Sequence, residues 1–281
     1  MKKLISLALA LVMALSCFCV VSFAEEEKPL GYVVLGDSIA YGSGLVNPVD
    51  ACYGRIVADT NGYTYENHSI PGITSGVLLS MLEERDEVRA SVAEADIISI
   101  SIGGNNFLTD NLIGLAFESL VRKDMTSFDE IAALYYEDLC TIMDTINELN
   151  PDAVVLLQTI YNPQKGAAGV VYLEGGIRLN DMMRKYDTEH PGEIVIVEVA
   201  EALNGDPENF ADDLIHPSSK GNEKIAVVIL AKLYEMGLGT ATEPVISTAG
   251  LDFKMPLSFA VIINVICELF AIFSNIINPL K

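Results

Sequence analysis

The chain has 281 residues, which is enough for one α/β domain with a full core or for two small domains. Its formal net charge is −22, from 39 acidic and 17 basic residues. A surface this acidic repels nucleic acid and anionic lipid head groups, so the composition argues against a nucleic-acid partner.

Residues 1–24 have the pattern of a secretory signal peptide. Two lysines precede an apolar, uncharged run at 4–21, and Ser22-Phe23-Ala24 places small residues at the −3 and −1 positions of a cleavage site. A membrane anchor and a lipoprotein signal at Cys17 are alternatives, but the cleavage site favours export. We therefore expect a secreted mature chain that begins near Glu25 with a formal charge of −24, since cleavage removes two lysines and no acid.

From about residue 30 to 236, short β-branched runs alternate with longer helical patterns. Continuous apolar strands alternating with helices predict a parallel sheet covered on both faces. In such a sheet, binding residues lie at the carboxyl ends of strands. The clearest predicted strands are 32–35, 97–102, 153–158 and 193–197, with a weaker one near 63–66, and the clearest helices are 128–149 and 219–236.

Four short segments lie where such a sheet would place functional groups. Gly36-Asp37-Ser38 follows the first strand, and a serine on a strand-to-helix turn exposes its hydroxyl. Ile70-Pro71-Gly72 follows the second strand, where a glycine lets a backbone N–H approach a ligand closely. Gly103-Gly104-Asn105 follows the third strand and presents a side-chain amide donor. Asp213-Leu214-Ile215-His216 precedes the last helix of the domain.

The fourth segment completes a set of groups for acyl transfer. The i, i+3 spacing in a turn lets Asp213 reach one imidazole nitrogen of His216 and leaves the other free to take a proton from Ser38. Nucleophile, base, orienting carboxylate and oxyanion donors are then all present.

These segments, in this order, resemble those of the SGNH (GDSL-type) hydrolases over roughly residues 30–236. The resemblance implies a flavodoxin-like three-layer α/β/α domain with a five-stranded parallel sheet. It also implies ester hydrolysis without a metal or other cofactor, with an oxyanion hole made by the N–H groups of Ser38 and Gly72 and the side chain of Asn105. The main departure is Asn106, where many members carry Asp, but the donor role falls on Asn105.

Other sites fit the sequence less well. The chain has no GxSxG elbow, no HExxH motif and no P-loop, and the three cysteines after residue 24 lack CxxC spacing. His68 is close enough to the second segment to line the pocket, although a polar turn is the favoured interpretation, and His190 is expected to be exposed. A zinc site from the histidines with Asp212 or Asp213 lacks ligand spacing. Of the two neighbouring aspartates, only Asp213 has the spacing to His216 that the family shows.

We therefore expect a secreted serine hydrolase that cleaves carboxylic esters through an acyl-enzyme on Ser38. The substrate is an acyl or acetyl ester of a small molecule, lipid or carbohydrate. The alternative is a non-catalytic surface or binding module that keeps the fold. The complete set of site residues favours the enzyme, because a binding module has no chemical need for all of them.

The predicted organisation is a signal peptide at 1–24, a catalytic domain at 25–236, a linker at 237–256 and a hydrophobic helix at 257–281. The linker is rich in Gly, Thr and Pro and shows little periodicity.

The polar residues of the C-terminal helix leave its role open. Residues 257–277 number 21, about the length of a membrane span. Asn264, Glu268 and Asn275 share one stripe, and a glutamate near the centre makes insertion marginal. The helix could insert, lie in the membrane interface with its stripe towards water, or pack its apolar face on the catalytic domain or a second copy. Membrane association or self-association through residues 257–281 is therefore a hypothesis.

Overall fold

The computed structural model describes residues 28–108, 112–254 and 259–277. The predicted signal peptide, residues 1–24, lies outside the described residues.

A single parallel sheet organises the described chain. The strands lie in the order β2-β1-β3-β4-β5, and every neighbouring pair is parallel. The prediction of a flavodoxin-like α/β/α domain with five parallel strands is confirmed. The strands are β1 Gly31–Gly36, β2 Thr64–Asn67, β3 Ile97–Ser101, β4 Val154–Gln158 and β5 Val195–Val197.

The last strand is shorter than the sequence pattern predicts. It begins at Val195, not at Glu193, because Glu193 still belongs to the turn that follows the preceding helix. There the backbone N–H of Glu193 donates to the carbonyl of His190 at 3.3 Å, and its carboxylate accepts the hydroxyl of Tyr186 at 2.5 Å.

Helices cover both faces of this sheet. The predicted long helix at 128–149 begins two residues earlier, and the predicted helix at 219–236 ends one residue earlier. The helices are α1 Ser38–Tyr41, α2 Pro48–Ala51, α3 Tyr53–Asn61, α4 Ser75–Glu84, α5 Asp86–Glu94, α6 Gly104–Leu108, α7 Leu112–Phe117, α8 Thr126–Leu149, α9 Gly166–Glu189, α10 Val199–Leu203, α11 Ser219–Glu235 and α12 Phe259–Ile277, with a π-helical turn at Glu118–Arg122.

Side-chain alternation along the strands creates two separate cores. In β1, Val33 and Leu35 face one core, whereas Tyr32 and Val34 face the other, as the two-residue period of a strand requires. Helices α4, α5, α8 and α9 fill the first core, and α3, α10 and α11 fill the second. Because both faces are covered, the central strands β1, β3 and β4 are mostly apolar, whereas β2, at the edge of the sheet, alternates exposed and half-buried residues.

The strand order places a crevice at the carboxyl ends of β1 and β3. The chain leaves β1 to one side of the sheet to form β2 and returns on the other side to form β3, so the connections diverge at this point. Ligands of doubly wound sheets bind at such a switch point. Ser38 comes two residues after the end of β1, and Asn105 lies in the first turn of the helix that follows β3.

Residues 237–254, most of the predicted linker, follow the surface of the α/β domain without forming a helix or strand of their own. The hydroxyl of Tyr63 donates to the carbonyl of Leu238 at 2.5 Å. Near the other end, Asp252 accepts the backbone N–H of Ser219 at 2.7 Å and forms an isolated bridge with Leu45. The segment is therefore bonded to the domain near both of its ends.

Helix α12 packs against α7, α9 and the π-helical turn. By length and composition it is the one helix of the described chain that is apolar enough to cross a membrane. Its inner face buries Ile263 and Cys267 in the first core. Asn264 and Glu268, two of the three stripe residues, bond to the α/β domain, whereas Asn275 is exposed.

Candidate active site

Ser38 begins α1 at a sharp turn after β1. The turn is fixed to β3, because the backbone N–H of Asp37 donates to the carbonyl of Ser101 at 3.0 Å. Gly36 allows this approach: its φ is +132°, and a Cβ there would lie 2.0 Å from the same carbonyl oxygen. The carboxylate of Asp37 then caps α1 by accepting the N–H of Ile39 at 2.9 Å. Ser38 is left half-buried and lines a cavity.

His216 is held by Asp213 in the turn before α11. Asp213 Oδ2 lies 2.5 Å from the Nδ1 atom of the His216 ring. The other carboxylate oxygen accepts the backbone N–H groups of Ile215 and His216, each at 2.9 Å. This arrangement turns the Nε2 edge of the ring away from the carboxylate, and His216 lines the same cavity as Ser38.

Opposing effects act on the pKa of Asp213. Burial alone would raise it, but the hydrogen bond and charge of His216 and the two backbone N–H groups outweigh burial and hold the pKa below its ordinary value. Asp213 is therefore an anion at neutral pH and an acceptor for the ring N–H of His216.

Gly72 and Asn105 lie on the same cavity. Gly72 has a φ of +85°, a conformation that side chains rarely adopt, and no atom would lie within 4 Å of an added Cβ. The side-chain amide of Asn105 donates to the carbonyl of Ile73 at 2.9 Å and lies 3.5 Å from a carboxylate oxygen of Asp37. Asn105 thus joins the loop that carries Gly72 to the turn that carries Ser38.

The side chain of Asn106 points to the start of α4 and not into the cavity. Its side-chain oxygen accepts the backbone N–H of Ser75 at 3.1 Å, and its amide donates to the hydroxyl of the same residue at 2.7 Å. Asn106 therefore caps the start of α4 and is not among the residues that line the cavity.

The cavity has a volume of about 420 Å³ and a mostly apolar wall. Its polar lining includes Ser38, Asn105 and His216, together with other residues such as Asp37 and Gln158. One wall residue, Phe259, is the first residue of α12, so the C-terminal helix contributes to the site that the sequence analysis assigned to residues 25–236. Much of the apolar wall is formed by Phe107, Leu108, Leu112, Leu115, Phe128, Val171 and Leu179.

The model of the GDSL-like lipase/acylhydrolase family matches residues 34–224 of this chain. That range is more than half of the sequence and contains every residue of the predicted site. The chain belongs to the GDSL-like lipase/acylhydrolase family. It is an ester-hydrolysing enzyme of that family, as the sequence analysis predicts.

Solved structures of lipases share the GDSL fold of this chain. A lipase from a goat rumen metagenome has a TM-score of 0.59 and 24% identity, with 75% of this chain and 98% of that chain covered. An extracellular lipase from Streptomyces rimosus has a TM-score of 0.57 and 17% identity, with 72% of this chain and 99% of that chain covered. Phospholipase A1 from Streptomyces albidoflavus has a TM-score of 0.56 and 16% identity, with 73% of this chain and 99% of that chain covered. At sequence identities this low, the similarity to these structures shows a shared fold alone.

A curated relative matches part of the chain. The uncharacterized protein YpmR of Bacillus subtilis is 27% identical over 150 residues, which are 50% of this chain and 56% of that protein. The match thus spans less than two thirds of the relative's length.

The other residues considered in the sequence analysis lie outside the cavity lining. His68 Nε2 lies 2.8 Å from the hydroxyl of Ser91, and the ring of His190 stacks on Tyr186 with centroids 4.3 Å apart. Asp212 lies 3.6 Å from the amine of Lys254, so it does not compete with Asp213 for the histidine. In the described ranges, no three His, Cys, Asp or Glu side chains come close enough to hold a metal ion.

Asp37 lines the cavity as a buried carboxyl group beside Ser38, and the sequence analysis did not single it out. It is 4% exposed, and burial raises the pKa of its carboxyl group to about 7, against the opposing effects of the Ile39 N–H and of His216. The signal was available in the sequence, since an acid directly between a buried strand and the serine turn has little access to water.

Proposed function

We propose that this enzyme is an exported serine esterase that cleaves esters of apolar acyl groups through an acyl-enzyme on Ser38. The observation that carries the proposal is the Asp213–His216 hydrogen bond, beside a cavity that His216 shares with Ser38. The apolar wall of that cavity favours an acyl chain over the polar ring of a carbohydrate.

The proposed reaction follows from these positions. His216 Nε2 takes the proton of the Ser38 hydroxyl while the Ser38 oxygen attacks the ester carbonyl carbon. The N–H groups of Ser38 and Gly72 and the amide of Asn105 stabilise the oxyanion of the tetrahedral intermediate. His216 then gives its proton to the leaving alcohol, and an acyl-enzyme remains. Water, deprotonated by the same histidine, releases the acid and restores Ser38.

Hydrolysis of p-nitrophenyl esters from acetyl to palmitoyl tests this proposal. We expect Ser38→Ala to fold normally and to lose turnover on every ester, because the change removes only a hydroxyl from a turn. The wild-type enzyme should prefer a chain of several carbons over acetate. Turnover by the purified Ser38→Ala protein at the wild-type rate would refute the proposal.

Export is part of the proposal and is supported by the composition of residues 1–24. The mature protein should appear in the culture medium or at the cell surface and should begin near Glu25. N-terminal sequencing of the exported protein tests this, and a retained residue 1 would contradict it.

We also propose that the outer face of α12 associates with a zwitterionic or neutral lipid surface. Val265, Leu269, Ile272 and Ile276 are all more than half exposed and follow one side of the helix. Glu268, the one charged residue of α12, is bonded to the start of α9. Phe259, at the end of the helix, also lines the cavity, so a lipid surface at this face lies close to the site. The formal charge of −24 expected for the exported chain opposes a second copy as the occupant.

Cosedimentation with phosphatidylcholine vesicles tests the lipid association. A variant with Leu269, Ile272 and Ile276 changed to Ser should lose vesicle binding. The matched control changes Val77, Leu134 and Val245 to Ser, which removes three exposed apolar residues elsewhere. Equal binding by both variants, or a wild-type dimer that binds no vesicles, would contradict the proposal.

A further inference from the structure

The turn that carries the candidate catalytic histidine contains a non-glycine residue in an unusual conformation. Leu214, between Asp213 and His216, has a φ of +63°, a region that side chains rarely adopt. Such a conformation persists only where the surrounding contacts hold it. The structure shows which contacts these are.

Gln164 is one of them. Its side chain is buried, and its Nε2 atom donates a short hydrogen bond to the carbonyl oxygen of Leu214. Its Oε1 atom accepts the side-chain amide of Asn264 at 2.8 Å. A carbonyl oxygen can only accept, so the Leu214 carbonyl fixes which way the Gln164 amide points, and Gln164 in turn fixes the amide of Asn264.

The peptide unit held by Gln164 is also held by Asp213. The carbonyl of Leu214 and the N–H of Ile215 belong to one planar unit, so fixing the oxygen fixes the direction of the N–H. That N–H donates to Asp213 Oδ1 at 2.9 Å, while Asp213 Oδ2 bonds the His216 ring. The hydroxyl of Tyr161 holds the next carbonyl, that of Ile215, at 2.9 Å.

Gln164 and Asn264 are themselves held in place by other contacts. The backbone N–H of Gln164 donates to the side-chain oxygen of Asn162 at 3.0 Å. Asn264 lies on α12, which is fixed by the burial of Ile263 and Cys267. Helix α12 is also fixed by Glu268, which accepts the backbone N–H of Ala167 at 2.9 Å in the first turn of α9. Helix α12 is thereby connected to the turn that carries His216.

We propose that Gln164 and Asn264 are positioning residues for the Asp213–His216 pair. They act by holding the peptide between Leu214 and Ile215, and so the carboxylate that orients the histidine ring. The C-terminal helix is thus part of the support of the active site. The inference rests on the proposed function, in which His216 is the base for Ser38.

The test compares near-isosteric variants that lose one donor each. Gln164→Met keeps the length of the side chain and removes the donor to Leu214. Asn264→Asp keeps the shape of the side chain but replaces the donor to Gln164 with a carboxylate oxygen. That oxygen either repels Gln164 Oε1, or the Gln164 amide turns over and points its own oxygen at the carbonyl of Leu214. Asn275→Asp is the matched control, because it makes the same charge change at an exposed position of the same helix.

We expect Gln164→Met and Asn264→Asp to lower kcat on a short p-nitrophenyl ester roughly ten- to a hundredfold, with little change in KM. The downfield proton resonance of the His216–Asp213 hydrogen bond should weaken or shift in both variants. Asn275→Asp should match the wild type in kcat and in this resonance.

Two results separate failure of this inference from failure of the proposed function. If Ser38→Ala is inactive but Gln164→Met and Asn264→Asp keep the wild-type kcat and resonance, the positioning role is wrong and the esterase assignment stands. If Ser38→Ala is fully active, the proposed function fails first. Should Gln164→Met not fold, Asn264→Asp against Asn275→Asp decides the question alone.

Discussion

Asp213 contacts His216 through both of its carboxylate oxygens. One oxygen lies 2.5 Å from the ring Nδ1 atom, and the other accepts the backbone N–H of the same histidine at 2.9 Å. The side chain and the main chain of His216 are therefore oriented by one carboxylate. Asp212, its neighbour in sequence, lies beside Lys254 instead.

This geometry predicts opposite outcomes for two adjacent aspartates. Asp213→Asn should lower kcat about a thousandfold or more, because an amide can donate to the ring and stabilise the wrong tautomer. Asp212→Asn removes the same charge one residue away and should keep most of the rate. Steady-state kinetics on a short ester measure both, and an equal loss in the two variants would argue against Asp213 as the orienting residue.

The neighbouring residues Asn105 and Asn106 should separate catalysis from stability. Asn105→Ala should lower kcat by roughly a hundred- to a thousandfold, about 2.7–4 kcal/mol, if its amide serves the oxyanion. Asn106→Ala should instead lower the unfolding free energy, by about 1 kcal/mol, since it removes the cap of α4. Kinetics and denaturant unfolding of both variants test this. A larger kcat loss in Asn106→Ala would show that the donor was assigned to the wrong residue.

The raised pKa of Asp37 predicts a pH-dependent stability. The folded protein holds the Asp37 proton up to about pH 7, whereas the unfolded chain releases it near its ordinary pKa of 3.8. Between these values the folded state binds more protons, so this group's contribution to stability falls as the pH rises. Asp37→Asn cannot ionise and should gain stability relative to the wild type between pH 4 and 8, by up to about 4 kcal/mol.

Denaturant unfolding of the wild type and Asp37→Asn at pH 4, 6 and 8 measures that difference. Groups that do not interact with Asp37 titrate alike in both proteins, so the difference between them reports Asp37 together with its charge interaction with His216. A difference that stays constant across this range would mean that the carboxyl group has an ordinary pKa.

The apolar wall of the cavity should set the acyl-chain preference. Leu108 lines the cavity and is partly exposed, so Leu108→Phe should fit without disturbing the core. We expect it to lower kcat/KM for long-chain esters by about tenfold and to leave acetate hydrolysis nearly unchanged. The control is Leu134→Phe, at an exposed position of α8. A uniform loss on all chain lengths would mean that the acyl group binds elsewhere.

Much of this arrangement could be predicted from the sequence, because the carboxyl ends of parallel strands meet at one edge. Once β1 and β3 were recognised, Ser38 and Asn105 had to lie close together. The i, i+3 spacing likewise places Asp213 beside His216. Each short motif is weak evidence by itself, but the order of the motifs relative to the strands predicts that they meet at one site.

The role of the C-terminal helix could not be predicted in the same way. Periodicity shows that Asn264 and Glu268 share a face of α12, but it does not show which way that face points. One alternative in the sequence analysis turned this stripe towards water. In the structure these two residues bond to Gln164 and to Ala167, and the apolar side of the helix is exposed.

Covalent labelling with a fluorophosphonate tests the central claim most directly, because such probes phosphonylate an activated serine. Peptide mass spectrometry of the labelled wild-type enzyme should find the adduct on Ser38, at about one per chain, with esterase activity lost in proportion. His216→Ala should label far more slowly, and Ser38→Ala should not label at all. An adduct on another serine, or full activity in a fully labelled enzyme, would contradict the assignment of Ser38 as the nucleophile.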